Sequence, residues 1–453
     1  MEEYIEKLIL QIRCKKARPY ITEEIRNHII EQKNTNIENG MSEDEALKEA
    51  VRDMGDPVEV GVSLDKVHRP GISIKLLAII GILSILGLLI HSMLRIHYVD
   101  FGLDESNLKV YRDAAFSGYI YSLLQGFIVM LVMYILDYTV IAKHSRLIGL
   151  VLLALELMGA LGILVRYGGN GKMYIGYGPI AFSVITISML FIPIYGAILY
   201  KLRNGKFLSI IEALAWSIVQ IYISTILNPT LNRVCLVVIY FLSMLSLLSF
   251  AISRGWFNLP IKKTLILLWS ISLPLFTFFI VLKYRLYSVL PKGMLIDLLD
   301  IEINRNVRLL WRGIGLFGKS QNEIFYQSMD YNGELILSYV GNYFGIVGVA
   351  LVISALAILV TIVFSTVFKQ KNELGMIIGF GCGIVFISNI MLNIACAFGL
   401  IPLGISFLPF MSLDRSGMIL SYALLGVIMS IYKYKDIYPN HVSLKVKNKM
   451  KAS

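Results

Sequence analysis

Charged residues make up only 16% of this 453-residue chain, against about 25% in soluble proteins. Together with 56% hydrophobic residues, that shortfall excludes an ordinary water-soluble domain. Cysteine is sparse as well. Cys14, Cys235, Cys382 and Cys396 are scattered without CxxC spacing, which argues against both a disulfide framework and a cysteine metal site. The 6 histidines show no HExxH or other metal spacing, and no Ser/His/Asp arrangement can be argued from pattern. Internal repeats are lacking, and so is low-complexity sequence outside a basic tail. The first 70 residues are too rich in Glu, Lys and Arg for a cleavable signal peptide, so the first apolar run is expected to direct insertion.

What the chain does have is long apolar runs. Ten can be drawn, over 72–94, 117–136, 147–165, 176–200, 207–227, 234–252, 264–282, 335–367, 375–398 and 416–432. Each approaches the roughly 20 residues that cross about 30 Å of hydrocarbon as a helix, the form that satisfies backbone polar groups within the segment. The expected fold is therefore an all-α polytopic membrane protein preceded by a small soluble helical domain over 1–70. That domain begins with an amphipathic stretch over 4–12 and a helix over 22–38. A third helix starts at the capping-box pair Ser42 and Glu45 and stops at Gly55, and a fourth is restarted by Asp56-Pro57.

Lys143, Arg146, Lys201, Arg203, Lys206, Arg254, Lys262, Lys263, Lys369 and Lys371 fall in alternate connections. By the positive-inside rule this puts the prefix helices and the basic tail over 437–453 in the cytosol, and the long connection over 283–333 outside. The net charge of +11 is attributed to cytoplasmic Lys/Arg and anionic lipid headgroups rather than to nucleic acid.

Gly313 to Ser320 reads GIGLFGKS, matching the phosphate-cradling pattern GxxxxGK followed by Ser or Thr. That pattern needs a preceding buried strand and a following helix, which this stretch lacks, so nucleotide binding is rejected. The same connection carries Lys283, Arg285, Lys292, Arg305, Arg308, Arg312 and Lys319. Arginine's planar fork suits a phosphate-bearing lipid, and the competing reading is a set of solvated charges balanced by Asp297, Asp300, Glu302 and Glu323. Glu334, at the mouth of the eighth run, could be a general base or an interfacial helix cap. Glu156, Glu212, Gln220, Asn389 and Asn393 lie inside apolar runs and are expected to face protein or water, most simply in interhelical hydrogen bonds.

Two stretches resemble known bacterial families. Met41 to Pro57 (MSEDEALKEAVRDMGDP), with Ala17 to Glu24 (ARPYITEE), is similar to the permease prefix domain, which fixes no function. From about 72 to 435 the chain resembles the SEDS family (FtsW, RodA and SpoVE). The most specific residues are Asn393 to Pro402 (NIACAFGLIP) and Leu408 to Ser412 (LPFMS). Leu136-Asp-Tyr138, Gly315 to Lys319 and Phe344 to Gly348 support the same resemblance.

The resemblance implies the family's architecture, about ten spans over 71–436 with one large outer loop, in the bacterial plasma membrane. It implies peptidoglycan glycosyltransferase activity that polymerises lipid II in division, elongation or sporulation, beside a class B penicillin-binding protein. Counting back from Phe344-Gly345 places Glu334 where the family carries its essential Asp, so Glu334 is the expected catalytic base. Arg285, Arg312, Lys319, Asn393 and Ser412 are the expected substrate-binding residues. No cofactor is identified, and a divalent metal could assist.

The chain departs from the family at Tyr174, which stands for a Trp, and at Val184-Ile-Thr186, which holds no acid. Asp414-Arg415 replaces two glycines, and Asn228 to Asn232 only partly matches a further motif. The alternatives are a catalytically degenerate scaffold that binds wall-synthesis partners and a transporter of lipid-linked precursors.

Overall fold

The computed structural model describes residues 1–97, 105–163, 165–167, 173–176, 181–205, 207–227, 234–288, 305, 307–318, 334–401 and 406–442. Four short helices come first: α1 (Glu2–Leu10), α2 (Arg18–Glu38), α3 (Glu43–Asp53) and α4 (Pro57–Val67). Helix α2 starts four residues before the expected Thr22, because Pro19 sits in the first turn, where its missing N–H costs nothing. Ile21, Ile25 and Ile29 recur at helical spacing and are buried together. The expected capping box forms only in part: Ser42 Oγ donates to the Glu45 carboxylate at 2.7 Å and caps no backbone N–H. Asp56 does cap α4, accepting from the N–H groups of Val58 and Glu59.

The bundle follows as α5 (Ile74–His97), α6 (Glu105–Ile135), α7 (Tyr138–Lys143), α8 (Ser145–Ala160), α9 (Val184–Lys201), α10 (Phe207–Leu227), α11 (Val234–Ser253), α12 (Ile261–Ser288), α13 (Ile336–Phe368), α14 (Glu373–Ala397) and α15 (Arg415–Lys433). Among the described residues, nine of these helices are long and apolar enough to cross a membrane. Helix α8, at 16 residues, stands where the third span is expected. At 1.5 Å per residue it reaches only about 24 Å.

The predicted boundaries around α8 need correction, since among the described residues 161–163, 165, 176 and 181–183 are not helical. Gly162, at φ +72°, lies in the turn that closes α8. Three short antiparallel strands follow, β1 (Val165–Tyr167), β2 (Met173–Ile175) and β3 (Phe182–Ser183), with Arg166 opposite Tyr174 and Tyr174 opposite Ser183. Their β-branched and aromatic residues suit pleated pairing.

Helices α9, α14 and α15 are the enclosed centre, whereas α12 is almost wholly on the periphery. Helices α9 and α14 meet backbone to backbone: a Cβ on Gly381 would come within 2.8 Å of Pro193 Cα. Small residues at such crossings are how helices gain packing in lipid. Most of the intramembrane polar residues face protein, as expected. Gln220 Nε2 donates to both oxygens of the fully buried Glu156, at 3.0 and 3.1 Å, and Asn389 Nδ2 donates to Met189 Sδ and to the Val385 carbonyl. Glu212 is the exception, half-exposed and paired with Arg146 at 2.9 Å.

Candidate active site around Glu334

The arm over 305–318 and the two ends of a broken helix build the candidate site. A short helical turn over 307–310 leads to Trp311, whose ring stacks on Phe398 at 4.3 Å. Trp311 Nε1 donates to the Ala397 carbonyl at 2.6 Å, and Ser338 Oγ donates to the same oxygen at 2.9 Å. That carbonyl is among those left without an intrahelical partner at the end of α14, so these bonds satisfy it and tie the arm to α13.

The glycine-rich stretch after Trp311 then lies against a break in α13. Gly345 has φ +72° and ψ −170°, a conformation open essentially only to glycine. The break frees two N–H groups, and Ile346 and Val347 donate them to the carbonyls of Gly315 and Leu316 at 3.1 and 3.2 Å. The stretch that mimics a phosphate loop thus offers carbonyls to a helix, not N–H groups to an anion. Among the described residues the segment just before it is a helical turn over 307–310, not the buried strand that a phosphate loop follows.

Glu334 lies just before α13 and is 4% exposed. It does not cap that helix, whose N-cap is Leu335. Its Oε1 instead accepts from the Ser406 N–H at 3.3 Å, and its main-chain carbonyl accepts from Asn393 Nδ2 at 2.9 Å. Ser406 Oγ completes the cluster, 3.4 Å from Asn393 Nδ2 and 3.5 Å from Cys396 Sγ. Three chain segments, 334–344, 393–397 and 406–414, therefore meet at Glu334, whose carboxylate is held by Ser406 and whose main chain by Asn393.

The expected site residues divide three ways. Glu334 and Asn393 are brought together, with the Asn393 amide engaged on the Glu334 backbone. Ser412 is buried on the third converging segment. Arg312 and Arg285 are exposed at the surface, the first next to Trp311 and the second near the end of α12. Lys319 lies outside the described residues, as does most of the connection over 283–333. Asp414, one of the departures, N-caps α15 by accepting from the N–H groups of Ser416 and Gly417 at 3.0 and 3.3 Å.

Sequence reasoning missed Ser406, Trp311 and Phe410. Phe410 adopts φ +66°, unusual for a bulky residue, and its carbonyl accepts from Tyr119 OH at 2.7 Å. The neighbouring Met411 carbonyl lies 2.7 Å from His91 Nε2. The only available signal was the position of Phe410 within the LPFMS motif. No group of three or more His, Cys, Asp or Glu side chains assembles among the described residues.

Residues 311–437 match the family model described as "Cell cycle protein", that of FtsW, RodA and SpoVE. The "Probable peptidoglycan glycosyltransferase FtsW" of Trichlorobacter lovleyi is 28% identical over 119 residues, covering 26% of this chain and 31% of that protein. The chain thus matches about a third of the length of such curated relatives. The fold is similar over 81% of this chain to 99% of a chain in the structure described as "Structural coordination of polymerization and crosslinking by a peptidoglycan synthase complex", with TM-score 0.60 and 13% identity. It is also similar over 81% of this chain to 98% of the rod shape determining protein RodA of Thermus thermophilus, with TM-score 0.54 and 14% identity. The matched segment contains Trp311, Glu334, Asn393 and Ser406, so the site and the resemblance fall on the same residues. The chain is a multi-pass membrane protein whose residues 311–437 are similar to the FtsW, RodA and SpoVE family.

Proposed function

We propose that this protein acts in cell-wall synthesis as a peptidoglycan glycosyltransferase that polymerises lipid II at the outer face of the bacterial plasma membrane, with both termini in the cytoplasm. The observation that carries the reading is the fixed position of Glu334 at the mouth of α13, its carboxylate accepting from the Ser406 N–H and its main-chain carbonyl from Asn393 Nδ2. Glu334 takes the proton from the acceptor sugar hydroxyl, and that oxygen attacks the donor's anomeric carbon. The bond from that carbon to the lipid pyrophosphate breaks, and the pyrophosphate leaves with the electron pair. A base fixed by a backbone N–H and by its own main chain needs little reorganisation as the proton moves. Arg312, Arg285 and Lys319 are the cations on the connection suited to the developing charge on the leaving group. A class B penicillin-binding protein is the expected partner; the fold's likeness to a chain of a peptidoglycan synthase complex supports it.

One observation favours a second reading, a non-catalytic family member that docks wall-synthesis proteins: Glu334 is only 4% exposed. Purified protein given labelled lipid II, with and without a partner transpeptidase, separates the two. The enzyme gives glycan ladders that Glu334→Gln abolishes at normal membrane abundance. Ladders fully retained by Glu334→Gln would remove the base assignment, and no wild-type ladders with the partner present would favour the scaffold.

A further inference from the structure

The four N-terminal helices are fastened to the bundle at the end opposite Glu334. Lys16 Nζ donates to Asp137 Oδ2 at 2.7 Å and to Tyr434 OH at 3.2 Å, and lies 4.5 Å from the centre of the Tyr434 ring. His68 Nδ1 meets the Asp436 carbonyl at 2.5 Å, and the Gly71 N–H donates to the Lys433 carbonyl at 3.2 Å. All these partners lie either at the α6–α7 corner or in the residues around the end of α15.

Asp137 is the centre of this socket. It is 6% exposed, its Oδ1 caps α7 through the Thr139 N–H at 2.9 Å, and Tyr438 OH donates to its Oδ2. Tyr20 from α2 and Tyr138 from α7 both meet the Tyr438 ring edge-on, at 5.7 and 5.8 Å. Burial alone would raise the Asp137 carboxyl, but hydrogen bonds from Lys16, Tyr438 and Thr139 outweigh it and hold the group below its ordinary range. Lys16 is the cation among these contacts.

The residues after α15 form a strap across the same end. Tyr200 OH donates to the Val442 carbonyl at 3.2 Å and accepts from the Val442 N–H at 2.8 Å. The Glu373 N–H donates to the Asn440 carbonyl at 3.1 Å, and Asn372 Nδ2 to that of Pro439 at 2.5 Å. Helix α15, about 28 Å of continuous helix at 1.5 Å per residue, joins this strap to Asp414 and Ser412 at its other end.

We propose that the N-terminal helices act as a latch: Lys16, seated against Asp137, Tyr434 and Tyr438, holds the strap over 434–442 and, through α15, the 406–414 segment that binds Glu334. The occupant is the chain's own N-terminal unit, and the surface it fits is an acidic, tyrosine-lined socket. The claim concerns the position of 406–414 and does not rest on the glycosyltransferase reading.

Amide hydrogen exchange on the full-length protein in lipid nanodiscs tests it. Lys16→Met keeps the stem and removes the charge; Asp137→Asn removes the charge and keeps a side chain able to cap α7. Each is expected to speed exchange about tenfold over 2–67, 434–442 and 406–418, a factor that corresponds to about 1.4 kcal/mol. Carrying both changes should be no worse than the more damaging single one, because the same pair is lost. Faster exchange confined to 2–67, or fully additive effects of the two changes, would overturn the latch. If Lys16→Met fails to accumulate, Asp137→Asn is read alone against wild type: faster exchange over 406–418 supports the latch, and exchange unchanged there overturns it.

Discussion

Replacing Gly345 with alanine tests the idea that the arm over 305–318 is held by a break in α13. A Cβ at this position would lie 2.4 Å from the Leu316 oxygen, 2.6 Å from its carbonyl carbon and 2.7 Å from the Gly315 oxygen. All three are backbone atoms, so no side-chain rotation relieves the overlap. The glycine-only conformation adds about 1–3 kcal/mol of backbone strain for any other residue. If the arm withdraws to make room, the two bonds from Ile346 and Val347 are lost, at about 0.5–1.5 kcal/mol each. Gly345→Ala should therefore destabilise the arm by roughly 2–6 kcal/mol and expose 313–318 to protease. Limited proteolysis and thermal unfolding in detergent would measure this, with Gly118→Ala as control. Gly118 lies on α6, where an added methyl group would meet nothing within 4 Å, and its replacement should be neutral. A Gly345→Ala protein with wild-type melting and wild-type resistance at 313–318 would refute the account of the break.

Asn393→Leu removes the donor to the Glu334 carbonyl and should cost about 1–3 kcal/mol in a buried site. Its loss of glycan synthesis should exceed that of Asn389→Leu, whose amide does not touch Glu334. Asp414→Ala should cost about 0.5–2 kcal/mol through the lost cap of α15, and Asp414→Asn should melt close to wild type. Because Asp137 titrates below its ordinary value in the folded protein, its contribution is complete above the ordinary carboxylate range and is lost as pH falls through the depressed value. Lys16 is shifted the other way: burial opposes its charge, but Asp137 and Tyr434 outweigh that and raise it, so its share is lost only above the ordinary lysine range. Protection of the 2–67 amides, with the intrinsic pH dependence of exchange divided out, should be greatest between those limits and fall in acid.

Most of the bundle could be read from apolar runs, because a span must be long and nearly uncharged whatever it packs against. The exception is instructive. The runs over 147–165 and 176–200 count the apolar residues Val165 and Phe182 as helix, although these lie in strands. Hydropathy is blind to that difference. Glu334 was legible only by counting from Phe344-Gly345, and Asn393 by motif and helical spacing. Ser406 was not legible at all, because it acts on Glu334 through a backbone N–H that any residue but proline carries. Lys16 and Asp137 are 121 residues apart, and nothing in either neighbourhood announces the other.

One of the two most enclosed spans among the described residues is also the least hydrophobic. Helix α15 has mean hydropathy 1.4 over its most apolar stretch and is mostly buried, whereas the exposed α12 reaches 2.5. Lipid alone therefore retains α12 well and α15 poorly. Helix α15 packs along α6, yet 279 residues separate Ile135 at the end of α6 from Arg415 at the start of α15. At about 5–20 residues per second, translation takes roughly 15–60 s to supply that partner. During that interval the face of α6 that carries Gly126 and Met130 must be kept from other helices. Biogenesis of this protein is thus expected to depend on whatever shields α6, and a ribosome stalled before residue 415 would leave an open groove for quality control to recognise.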